Sequence, residues 1–273
     1  MPPTEQAPVQ VTDRFIHLPQ GRLFVRSWQA ASGSFPGAGA APIVLFHDSL
    51  GCVALWRDFP AALAAATGRR VIAYDRLGFG RSDPHGDRLA PGFVAAEADA
   101  ALPALQRELG FGRFVAFGHS VGGGMAVHCA ARHPDECLAL VTESAQAFVE
   151  ERTLAGIREA RTGFQEPARF ERLARHHGKK ARWVLDAWTE TWLAPSFRDW
   201  SLADVLPHVA CPVLALHGEH DEFGTARHPD TIVRLAGGPA RREIIAGAFH
   251  VPHREQPALV LRLASDFLAA HAA

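Results

Sequence analysis

Lysine is nearly missing from this chain: it stands only at 179 and 180, and arginine supplies all the other basic charge. Acidic and basic residues almost cancel, 29 against 28, for a formal charge of -1. No overall field therefore draws nucleic acid or an anionic membrane, and neither is expected as a partner. No apolar run is long enough to span a bilayer. The stretch from Met1 to Val11 lacks the basic region and apolar core of a secretory leader, so the expected location is cytoplasmic. Cysteine is scarce as well. Cys52, Cys129, Cys137 and Cys211 are scattered in or beside apolar stretches with no C-x-x-C pair, which fits reduced buried thiols rather than a disulfide framework. Internal repeats and a second independent core are also lacking. What is present is ordinary globular composition, 48% hydrophobic and 21% charged over 273 residues, enough for one domain with a full core.

The order of segments gives the architecture. Arg14 to Leu18 and Arg22 to Trp28 flank Pro19-Gln20-Gly21 and read as a hairpin, followed by a flexible loop from Ser32 to Pro42. Ile43 to His47, Arg70 to Tyr74, Phe114 to Phe117, Leu138 to Thr142, Pro212 to Leu216 and Arg242 to Ala246 read as strands, mostly apolar runs of the kind a sheet covered on both faces requires. Helical segments around Phe59 to Thr67, from Phe93 to Leu109, from Val121 onward, at Thr231 to Leu235 and from Pro257 to Ala270 separate them. This alternation predicts an α/β fold with a parallel sheet and helices on both faces. It breaks once. From about Ala147 to Trp200 the chain is helical and rich in arginine and tryptophan, so residues 147–200 read as a helical cap inserted into one core domain formed by 1–146 and 201–273. Trp183, Trp188 and Trp192 recur near helical period, and most are expected to pack the insertion onto the body. The basic run Arg175 to Lys180 reads as a solvated helix end.

The chemistry is concentrated where the strands end, because ligands of an open parallel sheet bind beyond its carboxyl edge. Gly118-His119-Ser120-Val121-Gly122, between a strand and a helix, is G-x-S-x-G in the context of a nucleophile elbow. Serine needs an imidazole to take its proton, and the imidazole needs a carboxylate to fix its tautomer. His250 follows the last strand and Asp221 follows the one before it, so the order Ser120, Asp221, His250 is that of such elbows. Other assignments stay open: His253 competes with His250, while Glu219, Glu222 and Glu143 compete with Asp221. His217 and His220, three apart, have no third ligand nearby, and no metal is expected. For the oxyanion the expected donors are the backbone N–H groups of Val121 and Ser49, with Leu50 as the alternative to Ser49. A carboxylate at Asp48 would oppose that charge, so its side chain is expected to point away into hydrogen bonds that hold the loop. His47 and Asp75-Arg76 read as structural supports.

Taken together, H-D-S-L-G at 47–51, Y-D-R-L-G-F-G-R-S at 74–82, G-H-S-V-G-G at 118–123, H-G-E-H-D at 217–221 and H-V-P-H-R-E-Q-P at 250–257 resemble the α/β-hydrolase fold superfamily from Phe15 to Leu268. The departure is Asp48, which stands where that family usually has glycine. The resemblance implies an eight-stranded, mostly parallel sheet whose second strand is antiparallel, with a helical cap between two late strands. Serine at the elbow argues against the haloalkane dehalogenases and epoxide hydrolases of the superfamily, which use aspartate. Serine members it is similar to include carboxylesterases, thioesterases, lactonases, carbon–carbon bond hydrolases and perhydrolases. A small-molecule ester substrate and no cofactor are expected, and a receptor built on the same fold is the alternative of another class.

Overall fold

The computed structural model describes residues 9–30 and 40–272, so most of the Ser32 to Pro42 loop and the first eight residues lie outside the described part. Eight strands, β1 (Val9–Leu18), β2 (Gly21–Ala30), β3 (Ile43–Phe46), β4 (Val71–Tyr74), β5 (Phe114–His119), β6 (Cys137–Glu143), β7 (Val213–Gly218) and β8 (Ala240–Ile245), form one sheet. Their spatial order is β1-β2-β4-β3-β5-β6-β7-β8. β2 runs antiparallel to both neighbours and every later pairing is parallel, as the resemblance implied.

The apolar strands explain themselves by period. In a strand successive side chains face opposite ways. Val44 and Phe46, Ile72 and Tyr74, Phe114 and Ala116 enter one core cluster. The residues between them, Ile43 and Leu45, Val71 and Ala73, Val115 and Phe117, enter the other. Helices α1 (Phe59–Thr67) and α10 (Pro257–His271) close the second cluster with Phe59, Leu63, Val260 and Phe267. On the opposite face lie α2 (Phe93–Asp99), α3 (Ala101–Leu109), α4 (Val121–Arg132) and α8 (Arg227–Leu235), which supply Val94, Leu105, Met125 and Ile232. The helix expected to run unbroken from Phe93 to Leu109 is divided at Ala100, where φ is -116° and ψ -64°. Pro103 accounts for this, since it lacks an N–H and its ring crowds the carbonyl of Asp99.

Between β6 and β7 the chain leaves the sheet for α5 (Glu151–Gly163), α6 (Pro167–His177) and α7 (Ala181–Trp192). Its two ends meet at a single antiparallel bridge, Phe148 with Ser201, reinforced by the Leu202 N–H donating to the Ala147 carbonyl at 2.8 Å. The excursion has a small core of its own, in which Leu173, Val184 and Leu185 pack on Phe79 from the loop after β4. The basic run at its centre is not a plain solvated helix end. His177 is buried and joins two loops of the body: it accepts from the Gly80 N–H through Nδ1 at 2.9 Å, and its Nε2 donates to the Leu50 carbonyl at 3.0 Å. Lys180 donates to the carbonyls of Phe79 and Ser82. These contacts connect residues far apart in sequence, which charge patterning along one segment does not report. A short α9 (Pro252–Glu255) completes the fold, and among the described residues no helix is long and apolar enough to cross a membrane.

Candidate active site

Ser120 stands between β5 and α4 with φ 55° and ψ -127°, a conformation that costs a non-glycine residue roughly 1–3 kcal/mol. The surroundings leave it no alternative. A Cβ on Gly118 would lie 2.1 Å from the Gly122 carbonyl oxygen, and one on Gly122 would lie 2.1 Å from that of Phe46. Only glycine at both positions lets strand and helix cross this closely. The Ser120 N–H is held by the Glu143 carbonyl at 2.8 Å, and the Ser120 carbonyl accepts from Gly123 N–H at 2.8 Å. Its hydroxyl donates to Gln146 Oε1 at 3.3 Å rather than to a histidine.

His250 and Asp221 meet across the ends of the last two strands. His250 Nδ1 donates to Asp221 Oδ1 at 2.8 Å and Oδ2 at 2.9 Å, which leaves Nε2 as the free nitrogen of the neutral ring. Asp221 is buried, which by itself would raise its pKa, yet His250, His217 and the Phe223 N–H bring it down to about 2. Burial likewise lowers the pKa of His250, and the Asp221 charge and hydrogen bond outweigh it, so the imidazole is raised above its ordinary value. Two of the three competing carboxylates have other partners, and the third is exposed. Glu219 accepts from the Gly247 N–H at 2.8 Å, Glu222 is exposed at the edge of the cavity, and Glu143 pairs with His253. Of the two histidines three apart, His217 is buried with Nε2 donating to the Gly224 carbonyl at 3.2 Å, whereas His220 is exposed beside Phe249.

Ser120 and His250 open onto a cavity of about 400 Å³. Ile157 from α5, Phe164 just after it, Trp188 and Trp192 from α7, and Phe223 make much of it apolar, while Asp48, Gln146, Glu222, Arg169 and Arg254 add polar groups. Trp188 and Trp192 line the cavity and also pack the insertion onto the body: Trp192 is buried in the main core against Phe197 and Trp200, and Trp188 packs against the same core. Trp183 packs on the body as well, edge-on to Phe79 and stacked on His85. Ser49, in the turn after β3, lines the same cavity, and Val121 opens α4, where a backbone N–H has no intrahelical partner.

The loop after β3 is held differently from expectation. The hydrogen bonds assigned to the Asp48 side chain are made by its backbone carbonyl, which accepts from His47 Nδ1 at 2.8 Å and from Arg76 Nη2 at 2.9 Å. The Arg76 N–H donates to His47 Nε2 at 3.1 Å, and Asp75 accepts from Val53 and Arg81 N–H groups at 2.6 Å, so these residues serve as loop supports. The Asp48 carboxylate turns back over Gly51, whose Cβ would lie 2.0 Å from Oδ1, and stops 4.0 Å from His119 Nδ1. Burial pushes its pKa up, and His119, His47 and Arg254 together outweigh that and keep it ionised. Gln146 was not anticipated at all, although its place three residues beyond the end of β6 lies at the sheet edge where ligands bind.

Fold and site together define an α/β protein with a serine elbow under a helical excursion. Residues 41–257 match the α/β-hydrolase fold family, and the chain belongs to it. Serine hydrolase BPHL from Mus musculus is 27% identical over 252 residues, which cover 85% of this chain and 80% of that protein. Among solved structures, the enol-lactonase from Burkholderia xenovorans superposes with a TM-score of 0.71 at 20% identity over 94% of this chain and 100% of that one. Carboxylesterase CesB from Bacillus subtilis superposes with a TM-score of 0.69 at 21% identity, covering 96% and 93%. At such identities the structural likeness speaks for the fold alone.

Proposed function

We propose that this α/β hydrolase cleaves a small carboxylic ester through an acyl-enzyme, with Ser120 as nucleophile, His250 as base and Asp221 as the acid that orients it. The observation that carries this reading is the strained Ser120 opening onto the same cavity as a His250 whose Nδ1 is committed to Asp221. On substrate binding the Ser120 hydroxyl turns from Gln146 toward His250 Nε2; hydrogen bonds of this kind are often incomplete before the substrate arrives. His250 takes the proton as the Ser120 oxygen attacks the carbonyl carbon. The N–H groups of Ser49 and Val121 stabilise the oxyanion, each worth roughly 3 kcal/mol in the transition state. The imidazolium then protonates the leaving alcohol, and water releases the acid by the same steps. None of these steps calls for a metal or cofactor.

Residues 147–200 act as a cap, and their apolar side chains, with Phe223, accommodate the acyl group. The presence of Arg169 and Arg254 on the cavity favours a second reading within the same chemistry, in which the substrate carries a carboxylate or phosphate, as a dienone acid or acyl-CoA does. A panel of p-nitrophenyl esters, lactones, an acyl-CoA and a dienone acid separates these. Ser120→Ala is expected to abolish turnover of whichever is cleaved. Equal hydrolysis by wild type and Ser120→Ala would remove Ser120 as nucleophile.

A further inference from the structure

The site contains a second histidine–carboxylate pair that the proposed reaction does not use. Glu143, fully buried at the end of β6, accepts from His253 twice: from its backbone N–H at 2.6 Å and from its ring Nδ1 at 2.9 Å. Burial alone would raise the Glu143 pKa, but His253 and His119 outweigh it and draw it below its ordinary value. The ring of His253 has no other polar tether, since its Nε2 is buried without a hydrogen-bond partner. Trp56 and Phe59 pack against the ring, at 4.8 and 5.4 Å between centroids. Both members are buried, and neither lines the cavity that Ser120 faces.

Its connections lie elsewhere. The backbone carbonyl of Glu143 holds the Ser120 N–H at 2.8 Å, while its side chain holds His253, three residues beyond His250. One residue thus spans the two segments that must be brought into register, the elbow and the loop carrying the base. A second tie runs parallel to it: His119, next to Ser120 in sequence, donates from Nε2 to the His250 carbonyl at 2.8 Å. The His119 ring lies 5.2 Å from both the His250 and the His253 rings, so the two ties pack on each other. Displacing a reacting group by about 1 Å can cost on the order of 100-fold in rate. We infer that Glu143, acting through the hydrogen bonds it accepts from His253, is a positioning residue that sets His250 against Ser120.

This inference rests on the proposed serine mechanism, and the test separates the two. Wild type, Glu143→Gln, Glu143→Ala and Ser120→Ala are compared for kcat and KM on a p-nitrophenyl ester and for the rate of fluorophosphonate labelling at Ser120. All measurements are made well below each variant's melting temperature and scaled to folded protein by circular dichroism. Glu143→Ala is expected to lower kcat and the labelling rate by roughly 10- to 100-fold with KM within about threefold. Glu143→Gln keeps an acceptor for the His253 N–H and is expected to recover most of that loss. His253→Asn, which keeps the backbone tie and a short side-chain donor, supplies a second route should Glu143→Ala not fold, and is expected to lower kcat without raising KM. Variants that melt earlier but label and turn over at wild-type rates per folded molecule would overturn the positioning role and leave Glu143 as a purely structural residue. A wild type that neither turns over nor labels at Ser120 would instead overturn the serine mechanism itself.

Discussion

His250 is subject to two opposing influences, and which one wins determines the pH at which the site can act. Burial favours the neutral ring, while the Asp221 carboxylate 2.8 Å away favours the imidazolium and prevails. In the proposed mechanism His250 must be neutral to accept the Ser120 proton, so the acylation rate is expected to rise with pH through a midpoint above the ordinary histidine value of about 6.5. Asp221→Asn removes the charge that raises the pKa and also the acceptor that fixes the tautomer. It is expected to move that limb to lower pH and to reduce kcat/KM by up to ~10⁴-fold; pH–rate profiles of the two proteins check both effects. Ser120, Asp221 and His250 were legible in the sequence because each follows a strand, where topology alone brings side chains to one edge. Gln146 and the Glu143–His253 pair were not assigned, since nothing in local spacing states which side chain meets which across 110 residues.

At the level of elements, the elbow depends on how closely β5 and α4 approach β3. Gly122→Ala would place a methyl group 2.1 Å from the Phe46 carbonyl oxygen, a backbone atom with little freedom to move. The substitution is expected to cost roughly 1–3 kcal/mol or more in urea unfolding and to reduce activity sharply, because relief must come from shifting α4 and with it Val121. Gly112→Ala, whose Cβ meets nothing within 4 Å, is the control and is expected to be nearly silent in both measurements. The excursion over the sheet illustrates where periodicity stops being informative. Helical spacing in α7 identified its tryptophans as one set, but Trp188 and Trp192 face the cavity while Trp183 stacks on His85. The direction of an apolar face depends on what the helix is laid against, and that is decided by the docking of the excursion through residues such as His177.

For the molecule as a whole, buried histidines make stability depend on pH. Burial holds His119, His128, His177 and His228 neutral, with pKa values lowered to about 4. In the unfolded chain each returns to about 6.5 and takes up a proton between those values, so the folded state is fully favoured above about pH 6.5 and loses stability as pH falls toward 4. Asp221, lowered to about 2, adds to the loss only below about pH 4. Melting temperatures are expected to drop between pH 7 and pH 5, with a slope corresponding to roughly two or three protons bound on unfolding. Protonation of His177 also turns Nδ1 into a donor, which it cannot be while the Gly80 N–H points at it. By itself the sequence determined the alternation of strands and helices, the place of the excursion and three residues of the candidate site, because each of these follows from local period or from the position of a residue after a strand. The tertiary structure alone decided which carboxylate meets which histidine, how the Asp48 loop is held and which tryptophans face the cavity, because those contacts join segments whose relative placement no local pattern encodes.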